Sequence, residues 1–345
     1  MKLASLPVVG SDEADHGGGE LAAIARLERS LPPAPPGETW IGDDTAVLVL
    51  PGAGPAPPGS APRGPALPGS APPGSAAPGG PRLLFATDIV VSGVHFDLSL
   101  TSCADAGWKV LASNVSDVAA MGGRPFRCVA GIAGGTAAQI DEIGQGMAQA
   151  AAHFDCPLVG GDLSSGDQLV VSVAILGTTT AEPVLRSGAR PGDLLFVTRP
   201  LGSAAAGLRL LRADPQARGP LVDAHRRPEA RVGEGLAAAT GGATAMIDIS
   251  DGLGLDLHRL ALASGVGVEL DEVPVAAGAT EAEALGGGED YELVFAAPEA
   301  RLLAASFEEA GLPLPIQIGR CVEDARRRTL GGEPFSPTGW EHELR

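Results

Sequence analysis

Five short strings place an aspartate beside glycines or small residues at the end of an apolar run: Gly42-Asp43-Asp44, Thr87-Asp88, Asn114-Val115-Ser116-Asp117, Gly160-Gly161-Asp162 and Asp248-Ile249-Ser250-Asp251-Gly252. A carboxylate costs several kcal/mol to desolvate unless it is paired or holds a metal. Few cations lie near these strings, so a divalent ion is the natural counter-charge. Oxygen ligands without histidine or cysteine beside them favour Mg²⁺ over zinc or iron. Mg²⁺ in turn points to phosphoryl chemistry, because it keeps waters and bridges substrate phosphates. Any one string also serves as an ordinary turn or helix cap; five in one chain argue for a shared site. The lysines are Lys2 and Lys109, and neither sits in a GxxxxGK[ST] loop. Phosphate would therefore be held through metal and arginine.

Other residues add weaker signals. The pairs Gly160-Gly161 and Gly287-Gly288 let backbone approach a ligand and present N–H groups to anions. Ser250-Asp251-Gly252 precedes an apolar-periodic stretch from Leu253, which predicts a capped helix N-terminus able to draw a phosphate. Arg186, in Leu-Arg-Ser-Gly, offers a planar fork suited to a nucleotide phosphate, and a solvated arginine is the plainer alternative. His95 follows the Asp88 strand without a serine or cysteine nucleophile in a triad-like context. HExxH is absent despite His342-Glu343. Glu289-Asp290-Tyr291-Glu292 is an acidic loop before an apolar strand, facing either a cleft or solvent.

Strands are predicted at 41–50, 83–91, 127–132, 158–161 and 168–177, the last two framing a Gly-Gly-Asp turn, with helices at 103–121, interrupted near Asn114, and 136–153. Polar 183–191 links this half to a second. There, strands are predicted at 194–198, 243–249, 266–270, 291–295 and 315–318, and helices at 203–211, 228–239, 253–263 and 298–310. Both halves are mixed α/β, so two related domains with a cleft between them are expected. Residues 51–82 repeat Pro-Gly-Ser-Ala without apolar periodicity, predicting a disordered, polyproline-like tip between two neighbouring strands, with a Pro-rich recognition motif as a minor alternative.

The chain has 345 residues, 44% of them hydrophobic, enough for two buried cores. Its formal charge of −18 opposes binding to nucleic acid. Cys103, Cys128, Cys156 and Cys321 are scattered, without CxxC spacing, and are expected to be reduced and buried. Neither a long apolar run nor a basic leader occurs, so a cytoplasmic protein without a membrane segment is expected.

In their order along the chain, these strings resemble the thiamine-monophosphate kinase family. The matching segments are Ile-Gly-Asp-Asp-Thr-Ala (41–46), Ala-Thr-Asp-Ile-Val-Val-Ser-Gly-Val-His-Phe (86–96), Asn-Val-Ser-Asp-Val-Ala-Ala-Met-Gly-Gly-Arg-Pro (114–125) and Gly-Gly-Asp (160–162). Arg-Ser-Gly-Ala-Arg-Pro-Gly-Asp (186–193), Asp-Ile-Ser-Asp-Gly-Leu (248–253) and Gly-Gly-Glu-Asp-Tyr-Glu-Leu (287–293) continue the series. The resemblance implies the fold of aminoimidazole ribonucleotide synthetase and selenophosphate synthetase. That is a dimerising N-terminal α/β domain (1–183) and a C-terminal α/β domain (184–345), forming a homodimer. It also implies direct γ-phosphoryl transfer from ATP to thiamine monophosphate with several Mg²⁺.

On the family pattern, Asp44, Thr87, Asp88, Asp117, Asp162, Asp248 and Asp251 fall on metal positions, with the Ala86 carbonyl beside them. Gly161, Asp162, Arg186 and Ser250 fall on ATP positions, and His95, Glu289 and Trp340 on positions for the thiamine substrate. Trp340 offers a ring face to a cationic thiazolium or a pyrimidine. Two departures are visible: Leu163-Ser164 replaces a threonine pair, and the C-terminal segment reads Gly339-Trp340-Glu341-His342-Glu343. Two other readings remain. One is a relative with a different acceptor, such as selenophosphate synthetase, which carries a reactive residue near its N-terminus, whereas the first cysteine here is Cys103. The other is a non-catalytic nucleotide-binding partner, which has no need of so many carboxylates.

Overall fold

Strand β1 (Ala46–Leu48) pairs antiparallel with β2 (Leu83–Val91), Leu48 facing Leu83. The computed structural model describes residues 33–49 and 82–341. The strand pair thus flanks the Pro-rich stretch, and the expectation for 51–82 falls outside the described residues except at Arg82. Helix α1 (Cys103–Ala120) is capped by Ser102, whose side chain accepts from the Asp105 N–H. β3 (Arg124–Ala133), α2 (Ala137–His153, with a Thr136/Gln139 capping box), β4 (Leu158–Ser164) and β5 (Val170–Thr178) complete the first half. The sheet order is β1-β2-β5-β3-β4, with only β3 and β4 parallel.

Alternation along β5 buries Val171, Val173 and Ile175 against α1 and α2, leaving Ser172, Ala174 and Leu176 on the other face. That second face carries no helix among the described residues. α1 and α2 pack backbone to backbone: a Cβ on Gly146 would stand 1.8 Å from the Ala104 carbonyl oxygen, so only glycine fits.

α1 is buried except at Ala104, Asp105, Trp108 and Asp117, and it runs unbroken through Asn114. The predicted interruption does not occur because the Asn114 side chain satisfies itself locally. Its Nδ2 donates to the Val110 carbonyl at 2.7 Å, while its Oδ1 accepts from the Asp88 N–H at 3.1 Å.

Gly160-Gly161-Asp162 was expected to turn; it lies inside β4 instead. Gly161 pairs with Ala130 and Asp162 with Gly131, after a register shift between Cys128 and Ala130. A Cβ on Gly161 would meet the Ala130 oxygen at 2.1 Å, so this glycine serves close strand approach.

The second sheet runs β12-β11-β8-β10-β6-β9-β7. Its strands are β6 (Leu194–Val197), β7 (Ala245–Asp248), β8 (Gly267–Leu270), β9 (Leu293–Ala297), β10 (Ile316–Val322), β11 (Arg328–Leu330) and β12 (Glu333–Pro334). Its helices are α3 (Ser203–Ala213), α4 (Pro220–Arg226), α5 (Val232–Thr240), α6 (Leu253–Ser264), α7 (Glu281–Gly286) and α8 (Ala300–Glu309). One core packs α6 against the sheet through Leu253, Leu257 and Leu260; another packs α5 and α8 on the opposite face through Ala238, Leu303 and Phe307. α5 begins at Val232 where 228 was predicted, and α4, α7, β11 and β12 are too short to show a period. The expected mixed α/β architecture with two sheets is what the chain adopts. α1 runs between the sheets and touches β7, which brings Asp117 beside Asp248.

Candidate functional site

Carboxylate oxygens of Asp44, Asp117 and Asp248 lie within 4.8 Å of one another. Asp44 comes from the loop before β1, Asp117 from the last turns of α1, and Asp248 from the C-terminal end of β7, so both halves contribute. Arg186 binds Asp44 through two nitrogens, Nε to Oδ2 at 3.2 Å and Nη2 to Oδ1 at 2.9 Å, while its backbone N–H donates to the Asp43 carboxylate at 3.0 Å. Ser116 donates to Asp248 Oδ2 at 2.6 Å.

One guanidinium does not offset this many carboxylates. Burial first, then the charges of Asp88, Asp248 and Asp44, push the Asp117 pKa well above the usual carboxylate range. Burial and Asp44 do the same to Asp248. Burial, only partly offset by a bond from Ser113, raises Asp88, with Asp251 and Asp44 adding to it. Asp43 is pushed up to about 7 by burial and by Asp44. Arg186 is pulled down by burial, but the acidic neighbours, Asp44 foremost, outweigh that and raise it. The donors are hard oxygens, converging and under-neutralised, which is the chemistry of a Mg²⁺ site. The residues fit that ion.

The strings at 248–251 and 289–292 hold each other by backbone bonds: Ile249 N–H to Glu292 O at 2.7 Å, Glu289 N–H to Ser250 O at 2.8 Å and Tyr291 N–H to Ile249 O at 3.0 Å. Trp340 joins them through its N–H to Asp251 O at 2.9 Å, with its side chain half exposed. The predicted helix cap at Ser250-Asp251 takes another form. α6 has no side-chain cap, and Asp256 in its first turn reaches back to the N–H groups of Asp251 and Gly252 at 2.9 and 3.0 Å. That leaves the Asp251 carboxylate to Arg259. Glu289 meets Lys109 and His225.

Other sequence-predicted positions lie apart from the cluster within one chain. Ala86 shares the Asp88 face and packs on the core, whereas Thr87 points to the open face and donates to the Val173 carbonyl at 2.9 Å. Asp88, Val173, Ala130 and Gly161 form one row across β2, β5, β3 and β4. Gly161 is therefore three strand spacings from Asp88, about 14 Å, and exposed Asp162 next to it pairs with Gly131 on the open-face row. His95 folds back on the end of β2, its Nδ1 accepting from the Val91 N–H at 3.1 Å.

Asp43, Ser113, Asn114, Ser116, Tyr291, Lys109 and His225 were not singled out from the sequence as site residues. One signal was available: Lys109, Ser113 and Ser116 recur at i, i+4 and i+7, a polar stripe on a stretch that is otherwise apolar except at Asn114.

Residues 42–179 match the family model of the AIR synthase related protein, N-terminal domain, and residues 190–330 that of its C-terminal domain. Fold and site together define a two-domain AIR synthase-related protein. Among curated relatives, the thiamine-monophosphate kinase of Bacillus subtilis is 35% identical over 271 residues, 73% of this chain and 83% of that one. The chain belongs to the thiamine-monophosphate kinase family. The Mycobacterium tuberculosis member is 37% identical over 271 residues, 75% of this chain and 80% of that one. The solved structure of AaThiL complexed with AMPPCP and TMP superposes with a TM-score of 0.75 at 29% identity, covering 94% of this chain and 97% of that one. No helix among the described residues is long and apolar enough to cross a membrane.

Proposed function

We propose that this chain transfers the γ-phosphoryl group of ATP to the phosphate of thiamine monophosphate, in line, at the Asp44–Asp117–Asp248 cluster. The observation that carries the reading is the convergence of these carboxylates from both halves of the chain within 4.8 Å around a single arginine. Asp44, Asp88, Asp117 and Asp248, with Asp251 at the rim, would hold several Mg²⁺. The ions, when bound, screen repulsion between donor and acceptor phosphates and the charge that develops on transfer.

The acceptor needs no general base, because a phosphate monoester with a second pKa of about 6 already presents unshared pairs at neutral pH. Its oxygen forms the new bond to Pγ as the bond from Pγ to the β,γ-bridging oxygen breaks, and ADP leaves with that electron pair. Arg186, on the ATP positions with Ser250, would exchange Asp44 for a phosphate. Glu289, His95 and Trp340 would receive the heterocyclic end of the acceptor. Residues 1–183 would form the metal and nucleotide half and 184–345 the half that closes on it. Incubation with ATP, thiamine monophosphate and Mg²⁺ is expected to give thiamine diphosphate and ADP; no thiamine diphosphate would exclude the reading.

A homodimer belongs to the same proposal. The open face of the first sheet exposes Phe85 at 45%, Ile89 at 54% and Val129 at 44%, an apolar surface supporting a second copy there. Gly161 and Asp162 then border that copy. Ile89→Asp is expected to convert a dimer to a monomer in light scattering; a monomeric native chain would refute this.

A further inference from the structure

Lys109 is the only lysine among the described residues, and its side chain is 4% exposed. Its Nζ donates to Glu289 Oε2 at 2.8 Å, across 180 positions of sequence and from the first half to the second. His225, on α4, is 7% exposed, and its Nδ1 stands 3.4 Å from that same oxygen, buried and without a hydrogen bond. Burial and the Lys109 ammonium push the His225 pKa down to about 4, so the imidazole is neutral. Glu289 itself holds a left-handed φ of 67°, unusual for a side chain with a Cβ and a mark of a constrained functional loop. Among the described residues no hydrogen bond reaches its Oε1, and the side chain is 28% exposed.

We infer that Lys109 is a positioning residue: beside the neutral His225, it holds the Glu289 carboxylate by one oxygen and leaves the other to the heterocyclic end of the phosphoryl acceptor. The inference rests on the proposed kinase reading. Lys109 and Asp117 are eight residues apart on α1, about 12 Å along its axis at 1.5 Å per residue. That length matches a ligand whose phosphate sits at the carboxylate cluster and whose ring end sits at Glu289. The free Oε1 accepts from an N–H donor and attracts a cationic ring. The buried, unpaired Nδ1 of His225 adds a second polar atom at the same place, and such an atom is costly unless a ligand or the carboxylate engages it.

The test is a kinetic comparison on the full chain with ATP, Mg²⁺ and thiamine monophosphate, using Lys109→Met, Lys109→Arg, Glu289→Gln and the double variant of Lys109→Met with Glu289→Gln. Lys109→Met is expected to raise the KM for thiamine monophosphate by about tenfold to a hundredfold, with the KM for ATP unchanged. Lys109→Arg should restore most of the loss, and Lys109→Met should add little once Glu289 is glutamine. Lys109→Gln, which keeps a donor to Glu289 without the charge, carries the test if Lys109→Met does not fold: its KM for thiamine monophosphate should rise while its KM for ATP does not, and an unchanged acceptor KM overturns the inference. An unchanged acceptor KM in Lys109→Met overturns the inference alone, as does an equal rise for both substrates or a full additional loss in the double variant. A wild-type chain that makes no thiamine diphosphate overturns the kinase reading and the inference together.

Discussion

Asp117→Asn is expected to lower kcat by roughly a thousandfold, about 4 kcal/mol of barrier at 1.36 kcal/mol per factor of ten. The substitution is nearly isosteric and removes one of the converging carboxylates. Asp117 is also the cluster member that comes from the helix between the sheets, so its oxygens are aimed by α1 and not by a loop. Packing around it should survive. Neighbouring Ser116 keeps its bond to Asp248, and Asn114 keeps its bond to the Asp88 N–H. The loss should therefore appear in turnover without loss of folding, and circular dichroism with thermal unfolding checks the second half of the statement. Full activity in this variant would remove Asp117 from the machinery and, with it, the argument from convergence.

How far the sequence revealed this arrangement depends on what each residue's neighbours disclose. Asp44, Asp117 and Asp248 were visible because each sits at a recognisable break in an apolar pattern, and the order of the strings gave the family. What the strings did not reveal was direction. Ala86, Thr87 and Asp88 were read as one group, but strand alternation sends Thr87 to the open face while Asp88 faces α1. Gly160-Gly161-Asp162 was read as a turn because glycine pairs look alike in a turn and in a tightly paired strand; the Ala130 carbonyl, thirty-one positions away, decides between them.

The cap of α6 was missed for a related reason. Ser250 and Asp251 have the right types, but Asp256, inside the helix, takes the N–H groups of Asp251 and Gly252. Lys109 and His225 meet Glu289 only after the two halves have packed, and no local pattern anticipates a contact between such distant positions.

Without metal, the protein is expected to lose thermal stability as pH rises from about 6.5 to 8.5, and Mg²⁺ should abolish that slope. Groups of both signs titrate here, so the direction has to be worked out. Asp43 and Asp256 are pushed up to about 7 by burial and by the neighbouring carboxylates Asp44 and Asp251 respectively, and Asp88, Asp117 and Asp248 are also raised. A carboxyl whose folded pKa exceeds its unfolded value binds more protons in the folded state. It therefore stabilises at low pH and loses that contribution as pH rises through the folded pKa. His225 and His258 act in the opposite sense: burial pushes each down to about 4, so they destabilise as pH falls from 6.5 toward 4. Between pH 6.5 and about 7.5 the unfolded imidazoles are still partly protonated and offset part of the slope; the several raised carboxyls outnumber these two histidines, and above about pH 7.5 both imidazoles are neutral in either state. A bound divalent ion inverts the carboxyls' preference by favouring the ionised form, and a metal that binds only the folded chain adds about 2.7 kcal/mol at a hundredfold excess over its dissociation constant. Thermal unfolding with EDTA and with Mg²⁺ at several pH values across the window is the measurement. Asp117→Asn should flatten the metal-free curve and shrink the Mg²⁺ effect. A metal-free stability that is flat or rising over that window, or a Mg²⁺ effect of equal size at both ends, would show that the cluster is neither under-neutralised nor the site of the ion.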